Sequence, residues 1–191
     1  ESRLSLSVQT GAALAFQLVE EWGMRLDTAA VTKKAAEIQE ELNELVAALK
    51  RHGYWGGQGE RQRYATAIGK VETALGRALP RTPKSGQPSR KCEDLEPYSE
   101  HPFVAAFIKH ADLTKLNSTF LAPYLGAAEV HPHFSVLVRT GRTSCSAPNL
   151  QNLSRKNGIR ELFIPSPGQL LLAADYKGIE LGALAQITYI Q

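Results

Sequence analysis

A carboxylate at the end of an apolar run is the clearest chemical feature of this 191-residue sequence. Residues 169–175 predict a buried strand that ends at Asp175, and the chain then turns through Gly178 into a helix whose first turn holds Glu180. A carboxylate at such a strand end is costly to bury unless it is paired. The spacing leaves three uses of Asp175 open: a metal ligand, a general base or an N-cap for the helix.

Short polar side chains form a second candidate site around Arg142, in the irregular segment 140–152. Its hydrogen-bonding residues are Thr140, Ser144, Ser146, Asn149, Gln151 and Asn152. Such groups suit contacts to phosphate, sugar and minor-groove acceptors, which position a nucleic acid without reading its sequence. A polar surface loop is the alternative, and the composition of the segment does not decide between the two.

The formal net charge of +3 conceals a strong division along the chain. Residues 1–49 carry a net charge of −4, residues 50–91 a net charge of +8, and residues 92–191 a net charge of −1. Within the last part, residues 134–160 hold five basic and no acidic residues. Two basic segments can line one groove for a polyanion such as nucleic acid, although a solvated basic surface explains the same charges.

Composition narrows the class of protein. With 43% hydrophobic and 21% charged residues and no long apolar run, the chain is predicted to be soluble, with no membrane partner. Cys92 and Cys145 lack the spacing of a disulfide framework or a zinc site, which favours a reduced, cytoplasmic setting. His131 and His133 have no third ligand nearby in the sequence, so a metal site there is disfavoured.

Helical patterns occupy the first two-thirds of the chain. Residues 11–22 predict a short helix, and residues 24–27 an edge strand. Asp27 or Thr28 is suited to cap a long helix that runs to Arg51, and its apolar positions are Val31, Ala35, Ile38, Leu42, Leu45 and Leu49. A single apolar stripe of this kind needs a partner helix.

Later segments of the sequence predict the helices that could pack against this stripe, and the strands. Residues 62–79 and 101–125 predict helices, separated by a loop at 80–89 that is rich in Pro, Ser and Gly. Residues 133–138 are predicted to be extended, and residues 179–187 predict a last helix after the strand that ends at Asp175. Helices first and strands later indicate an α+β fold.

Three segments resemble, in order and spacing, the palm of family A DNA polymerases, the bacterial DNA polymerase I class. They are TGRTSCSAPNLQN at 140–152, GIRELF at 158–163 and LLLAADYKGIEL at 170–181, where the family's usual forms are TGRxSSxxPNLQNxP and, for motif A, DYSQIELRxLA. Upstream, LTKLNSTF at 113–120 is similar to the family's LTKLKSTY, and GMRLD at 23–27 to its GIRVD-like step before the thumb.

The resemblance, strong from residue 113 onward and thin between 53 and 100, implies an architecture and an activity. Residues 1–27 would start the palm, residues 28–125 would form a helical thumb of long antiparallel helices, and residues 126–191 a palm segment with part of its antiparallel sheet. The parent enzyme would add deoxynucleotides to a primer 3′ end. Its partners would be primer-template DNA, deoxynucleoside triphosphates and two Mg²⁺ ions, and it would be a monomer.

Individual roles follow from the same resemblance. Asp175 matches the motif A aspartate that binds both catalytic magnesium ions, with the backbone carbonyl of Tyr176 as a further ligand. Glu180 matches the glutamate that lies against the sugar of the incoming nucleotide. The residues that match contacts to primer-template DNA are Lys115, Thr140, Arg142, Asn149, Gln151, Asn152 and Arg160.

The chain also departs from the family's pattern. Substituted positions are Ala111, Asn117, Ser154, Lys177, Gly178 and Gly182. The family's second aspartate and its fingers helix come well after motif A, whereas this sequence ends 16 residues after Asp175. Two-metal phosphoryl transfer needs a second carboxylate, so the 191 residues alone are predicted to be inactive. A non-catalytic duplex-DNA-binding module is the alternative, and a helical interaction protein with an incidental basic face is a third possibility.

Overall fold

Six helices and four short strands make up the described part of the chain, which in this computed structural model comprises residues 6–138, 142–154, 157–175 and 177–190. The helices are α1 (Leu6–Trp22), α2 (Thr28–Arg51), α3 (Glu60–Leu75), α4 (Cys92–Leu95), α5 (Pro102–Leu116) and α6 (Ile179–Ile190). The strands are β1 (Met24–Arg25), β2 (Glu129–Val130), β3 (His133–Ser135) and β4 (Ser144–Ser146). The predicted α+β class is confirmed. No helix within the described ranges is both long and apolar enough to cross a membrane.

Two antiparallel pairs form the sheets. β1 pairs with β2, Met24 opposite Val130, and β3 pairs with β4, Phe134 opposite Cys145. Leu26 extends the first pair through an antiparallel bridge to Phe163. The strand predicted at 24–27 is therefore present, and this pairing joins the start of the chain to its last third.

Helix α2 has the predicted bounds. The Asp27 carboxylate accepts the backbone N–H of Ala30 at 2.9 Å, which satisfies one of the unpaired donors of the first turn. At 24 residues the helix is about 36 Å long. Its buried stripe packs mainly against α5, as the sequence predicted for one of the later helices.

Two hydrophobic clusters lie along this helix pair. Near the start of α2, Val31 and Ile38 pack in a cluster that includes Leu116 of α5 and Tyr124. Near its end, Leu49 packs in a second cluster of buried side chains, which includes Tyr54, Tyr64, Ile68, Val71, Phe103 and Phe107. Each end of α2 therefore has its own core.

A polar triad borders the second cluster. The Tyr54 hydroxyl donates to the Glu60 carboxylate, and the Arg90 guanidinium donates to both. Burial raises the pKa of Tyr54 to about 12, so its hydroxyl keeps the proton that it donates. Hydrogen bonds from Tyr54 and then from Arg90 hold the pKa of Glu60 below its usual value. The triad ties the loop after α2 to the first turn of α3 and to the segment before α4.

Several element predictions were wrong in extent or type. Residues 169–175 form no strand. A β-strand needs a neighbouring strand to which its backbone can hydrogen-bond, and the described residues provide none beside this segment. Leu170 and Leu172 are accordingly more than 90% exposed. Helix α3 ends earlier than predicted, at Gly76, whose φ of 66° suits glycine. The helix predicted at 101–125 is present over residues 102–124, although α5 changes after Leu116 to a π-turn and then a 3₁₀ turn, in which Pro123 lacks an N–H.

Replacing the capping residue is expected to destabilise the fold. Asp27→Ala leaves the Ala30 N–H without its acceptor and should lower the free energy of unfolding by about 1 kcal/mol. Urea denaturation followed by circular dichroism measures the change. Asp27→Asn is the matched control, because asparagine caps about as well as aspartate. Equal losses in the two variants would contradict the capping role.

The triad predicts a pH dependence. The pKa of Glu60 is lower in the folded than in the unfolded chain. Its ionised carboxylate therefore stabilises the fold fully above about pH 5, and this stabilisation is lost as the pH falls through the pKa of the folded state. Glu60→Gln should therefore lower the free energy of unfolding at pH 7 and have progressively less effect toward pH 3. Glu40→Gln, at an exposed position of α2, is the control. A deficit of the same size at both pH values would contradict the assignment.

Candidate nucleic-acid interface

A folded polar turn follows strand β4. The Asn149 side-chain oxygen accepts the backbone N–H groups of Gln151 at 3.1 Å and Asn152 at 3.3 Å, which caps the 3₁₀ turn Leu150–Asn152. The Gln151 amide donates to the Thr143 hydroxyl at 2.8 Å. The described part of the polar segment predicted at 140–152 therefore consists of strand β4 and this turn, in which hydrogen bonds hold the side chains of Asn149 and Gln151.

A cleft of about 520 Å³ lies between this turn and the end of α5. Lys115 and Thr119 line it from the helix side, and Asn149 and Asn152 line it from the turn. Lys115 is therefore brought into one cleft with Asn149 and Asn152, which lie more than 30 residues later in the sequence, and all three were predicted to bind DNA. Their contact with DNA stays a prediction.

Two further clefts share lining residues with the first, one beside α5 and one beside α3. A cleft of about 420 Å³ shares Lys115 with the first cleft and reaches Arg90, with His110 and Thr114 between them. A cleft of about 730 Å³ shares Arg90 with the second and extends to Arg61. We call these three connected clefts the trough. It runs from the polar turn after β4 to the start of α3.

The trough is electropositive. Its acidic lining residues are Glu60, which is ion-paired with Arg90, and Asp112. Burial lowers the pKa of His110, so this imidazole is neutral at neutral pH. The cations that line the trough are Arg61, Arg90, Lys91 and Lys115. Fixed cations of this kind attract the phosphates of a polyanion.

The other predicted DNA-binding residues do not line the trough. Arg142 and Gln151 are exposed near β4, and Arg160 donates to the Leu153 carbonyl at 3.3 Å from the 3₁₀ turn Arg160–Leu162. Thr140 lies outside the described residues. The structure therefore places the described predicted contacts in two groups, with Lys115, Asn149 and Asn152 lining the trough and Arg142, Gln151 and Arg160 outside it.

The predicted catalytic segment is described only in part. Asp175 is exposed at the end of the irregular segment 169–175. Glu180 lies in the first turn of α6, where its backbone is described and its side chain is not, and Tyr176 lies outside the described residues. Among the described residues, no three His, Cys, Asp or Glu side chains are grouped as a metal site.

Sequence reasoning did not single out Arg61, Arg90 and Lys91 as individual site residues. The excess of positive charge over residues 50–91 included all three, but a charge count does not say which side chains share a surface. Only the fold of α3 and the segment before α4 brings them together in the third cleft.

Comparison with known proteins gives consistent results. The sequence profile of DNA polymerase family A matches residues 31–191. The chain is 34% identical over 182 residues to a thermostable DNA polymerase I from Thermus aquaticus, an alignment that covers 89% of this chain and 22% of that protein. It is 32% identical over 201 aligned positions to DNA polymerase I from Geobacillus stearothermophilus, covering 98% of this chain and 22% of that protein.

A solved structure shows the same fold. It is the POL domain of Pol1 from M. smegmatis, in complex with DNA primer-template and dNTP, and it matches with a TM-score of 0.64 at 23% identity. The match covers 87% of this chain and 30% of that one. The chain thus spans about a fifth of the length of the two DNA polymerase I proteins. Profile, relatives and fold agree that this chain belongs to DNA polymerase family A.

Proposed function

We propose that the chain is the thumb and the first part of the palm of a family A DNA polymerase, and that it holds primer-template DNA in the trough. The parent enzyme adds deoxynucleotides to a primer 3′ end. The observation that carries this proposal is the position of Lys115, which lines both the cleft with Asn149 and Asn152 and the cleft that reaches Arg90. One side chain thereby connects the basic thumb segment to the polar palm turn.

The domain division belongs to the same proposal. The palm would begin in residues 1–27, the thumb would comprise residues 28–125, and the palm would resume in residues 126–191. The second hydrophobic cluster, around Tyr64 and Phe103, supports a thumb with a core of its own. Pairing of β1 with β2 supports a palm made from both ends of the chain, as it joins residues 24–25 to residues 129–130.

Each part of the trough suits a different part of a duplex. Arginine and lysine side chains neutralise phosphates, and this contact is independent of base sequence. The short amide side chain of asparagine both donates and accepts hydrogen bonds, which suits contacts to the sugars and to the base acceptors of the minor groove. A protein that extends any primer must bind duplex in this sequence-independent way.

Magnesium would be held at motif A in the parent enzyme. The carboxylate of Asp175 is an oxygen donor of the type that magnesium prefers, and it is exposed to solvent. We propose Asp175 as one carboxylate ligand and the backbone carbonyl of Tyr176 as a further ligand, with Glu180 against the sugar of the incoming nucleotide. Bound there, magnesium would stabilise charge on the transferring phosphoryl group. The described residues offer one carboxylate at this place, so a second would have to come from elsewhere in the parent enzyme.

The proposal also covers whether these 191 residues alone can extend a primer. Two-metal phosphoryl transfer needs a second carboxylate beside Asp175, and the proposal is that the chain binds DNA but does not extend a primer by itself. A primer-extension assay with deoxynucleoside triphosphates and Mg²⁺ tests this. Extension by the purified chain would contradict it.

The connection through Lys115 predicts a specific loss of DNA affinity. Lys115→Ala should weaken binding of a primer-template duplex and reduce the slope of log K against log salt concentration by about 0.9, the value for one lost phosphate contact. Fluorescence anisotropy over a salt series measures both quantities. Lys109→Ala is the matched control, because Lys109 is on the same helix but pairs with Glu41 and does not line the trough. If both variants lose the same affinity, the trough is not the DNA site.

Arg142 provides a test on the palm side. Arg142→Ala should weaken binding by a similar factor for primer-templates of unrelated sequence, because phosphate and groove contacts carry no base information. The measurement is the ratio of variant to wild-type dissociation constants over several duplexes. A loss confined to one sequence would indicate base readout instead. No binding by the unaltered chain at low salt would overturn the proposed function as a whole.

A further inference from the structure

The loop between α2 and α3 has an unusual composition. Residues 52–59, which we call the tip loop, include four glycines, and Gly57 and Gly59 have positive φ angles of 88° and 77°. Glycine-rich chain loses much conformational entropy when it is ordered, so such a loop needs strong contacts to keep one shape. The loop lies at the far end of α2, about 36 Å from Asp27.

Beyond the Tyr54 triad, one side chain holds the glycine-rich part of the loop. The guanidinium of Arg63, one turn into α3, donates to the Trp55 carbonyl at 2.9 and 3.1 Å, to the Gly56 carbonyl at 3.0 Å and to the Gln58 carbonyl at 2.9 Å. The Gly57 carbonyl is at 3.5 Å. Four successive carbonyls of the tip loop therefore face one cation.

The same guanidinium orients an aromatic ring. Its carbon atom lies 4.3 Å from the centre of the Trp55 indole, in a cation–π arrangement. Trp55 remains 48% exposed. One side chain thus fixes both the backbone of the loop and the position of a large, partly exposed aromatic surface.

Arginine is the residue type that can do this. A guanidinium has five N–H donors in a planar fork and a flat face for stacking, whereas a lysine ammonium is a compact charge with three donors. Replacement by lysine would keep the positive charge but lose the fork and the stack. The geometric and the electrostatic contributions of Arg63 are therefore separable by experiment.

The tip loop holds no Lys, Arg, Asp or Glu, but basic residues flank it and it borders the trough. No acidic residue occurs between Glu44 and Glu60 in the sequence, and Glu60 is paired with Tyr54 and Arg90. Tyr54, at the start of the loop, lines the second cleft, and Arg61, just after it, lines the third. The cations of the trough complement the phosphates of a nucleic-acid strand, and an exposed indole at the edge of the trough complements the faces of its bases.

We infer that Arg63 is a positioning residue that holds the tip loop so that Trp55 contacts the DNA bound in the trough. The inference rests on the proposed function, because it takes primer-template DNA as the occupant of the trough. Arg63 acts through Trp55 and the loop backbone, and its own charge is a minor part of the effect.

A double-mutant cycle tests this inference in a Trp22→Phe background, where Trp55 is the only tryptophan. Arg63→Ala and Trp55→Ala should each weaken binding of a primer-template duplex by about tenfold, and the double variant should be little weaker than either, because both changes remove the same contact. Lys70→Ala is the matched control: it removes one exposed positive charge from the same helix, lines none of the three clefts, makes none of the loop contacts, and should cost about threefold or less. Arg63→Lys should recover only a small part of the lost affinity.

Fluorescence gives a second measurement. Arg63→Ala should shift Trp55 emission to longer wavelength and abolish its change on addition of DNA, while circular dichroism confirms that helix content is kept. If Arg63→Ala does not fold, Arg63→Lys carries the same comparison. Equal losses for Arg63→Ala and Lys70→Ala, full recovery with lysine, or additive losses in the cycle would overturn the inference and leave the proposed function standing. Absence of DNA binding by the unaltered chain would overturn both.

Discussion

The packing of α2 against α5 is the interaction on which the rest of the structure depends. One stripe of α2 serves two cores, with Val31 and Ile38 in the first and Leu49 in the second. Full burial of an aliphatic side chain of this size contributes about 1.5–3 kcal/mol, so the stripe supplies a large share of the stability of a small domain. Because α5 is held by this packing, its other face is free to line the trough with Lys115 and Thr114. The surface proposed for DNA is thus the reverse side of a hydrophobic contact.

Ion pairs and hydrogen bonds around the second core neutralise the acidic side chains of α3. Glu60 is engaged by Tyr54 and Arg90, and Glu72 is engaged by Arg81 and by the backbone N–H of Leu79. Exposed ion pairs of this kind change the stability of the fold little. The arginines and lysines that remain in excess then set the local electrostatic potential. The high positive charge of residues 50–91 therefore reaches the solvent largely without compensation. Such a surface favours binding that depends on salt and not on base sequence.

The sequence predicted the parts of the fold that local chemistry determines. The capped start of α2 at Asp27 and its end near Arg51 follow from residue types within one or two turns, and the structure agrees. The strand predicted at 169–175 failed because apolar character shows a preference for burial but does not supply a neighbouring strand. The meeting of Lys115 with Asn149 and Asn152 was beyond local patterns, since it depends on how α5 and the turn after β4 pack. The family resemblance named these residues, yet only the fold shows that they share a cleft.

Helix α2 also acts as a lever. It is uninterrupted from the sheet at one end, where Asp27 follows β1 and Leu26, to the tip loop at the other. For an arm of about 36 Å, a rotation of about 5° at the sheet end displaces the far end by about 3 Å. That displacement is close to the rise of one base pair along a DNA strand, roughly 3.4 Å. A small change of angle at the base of this helix would therefore displace the tip loop, and with it the exposed indole of Trp55, by about that distance.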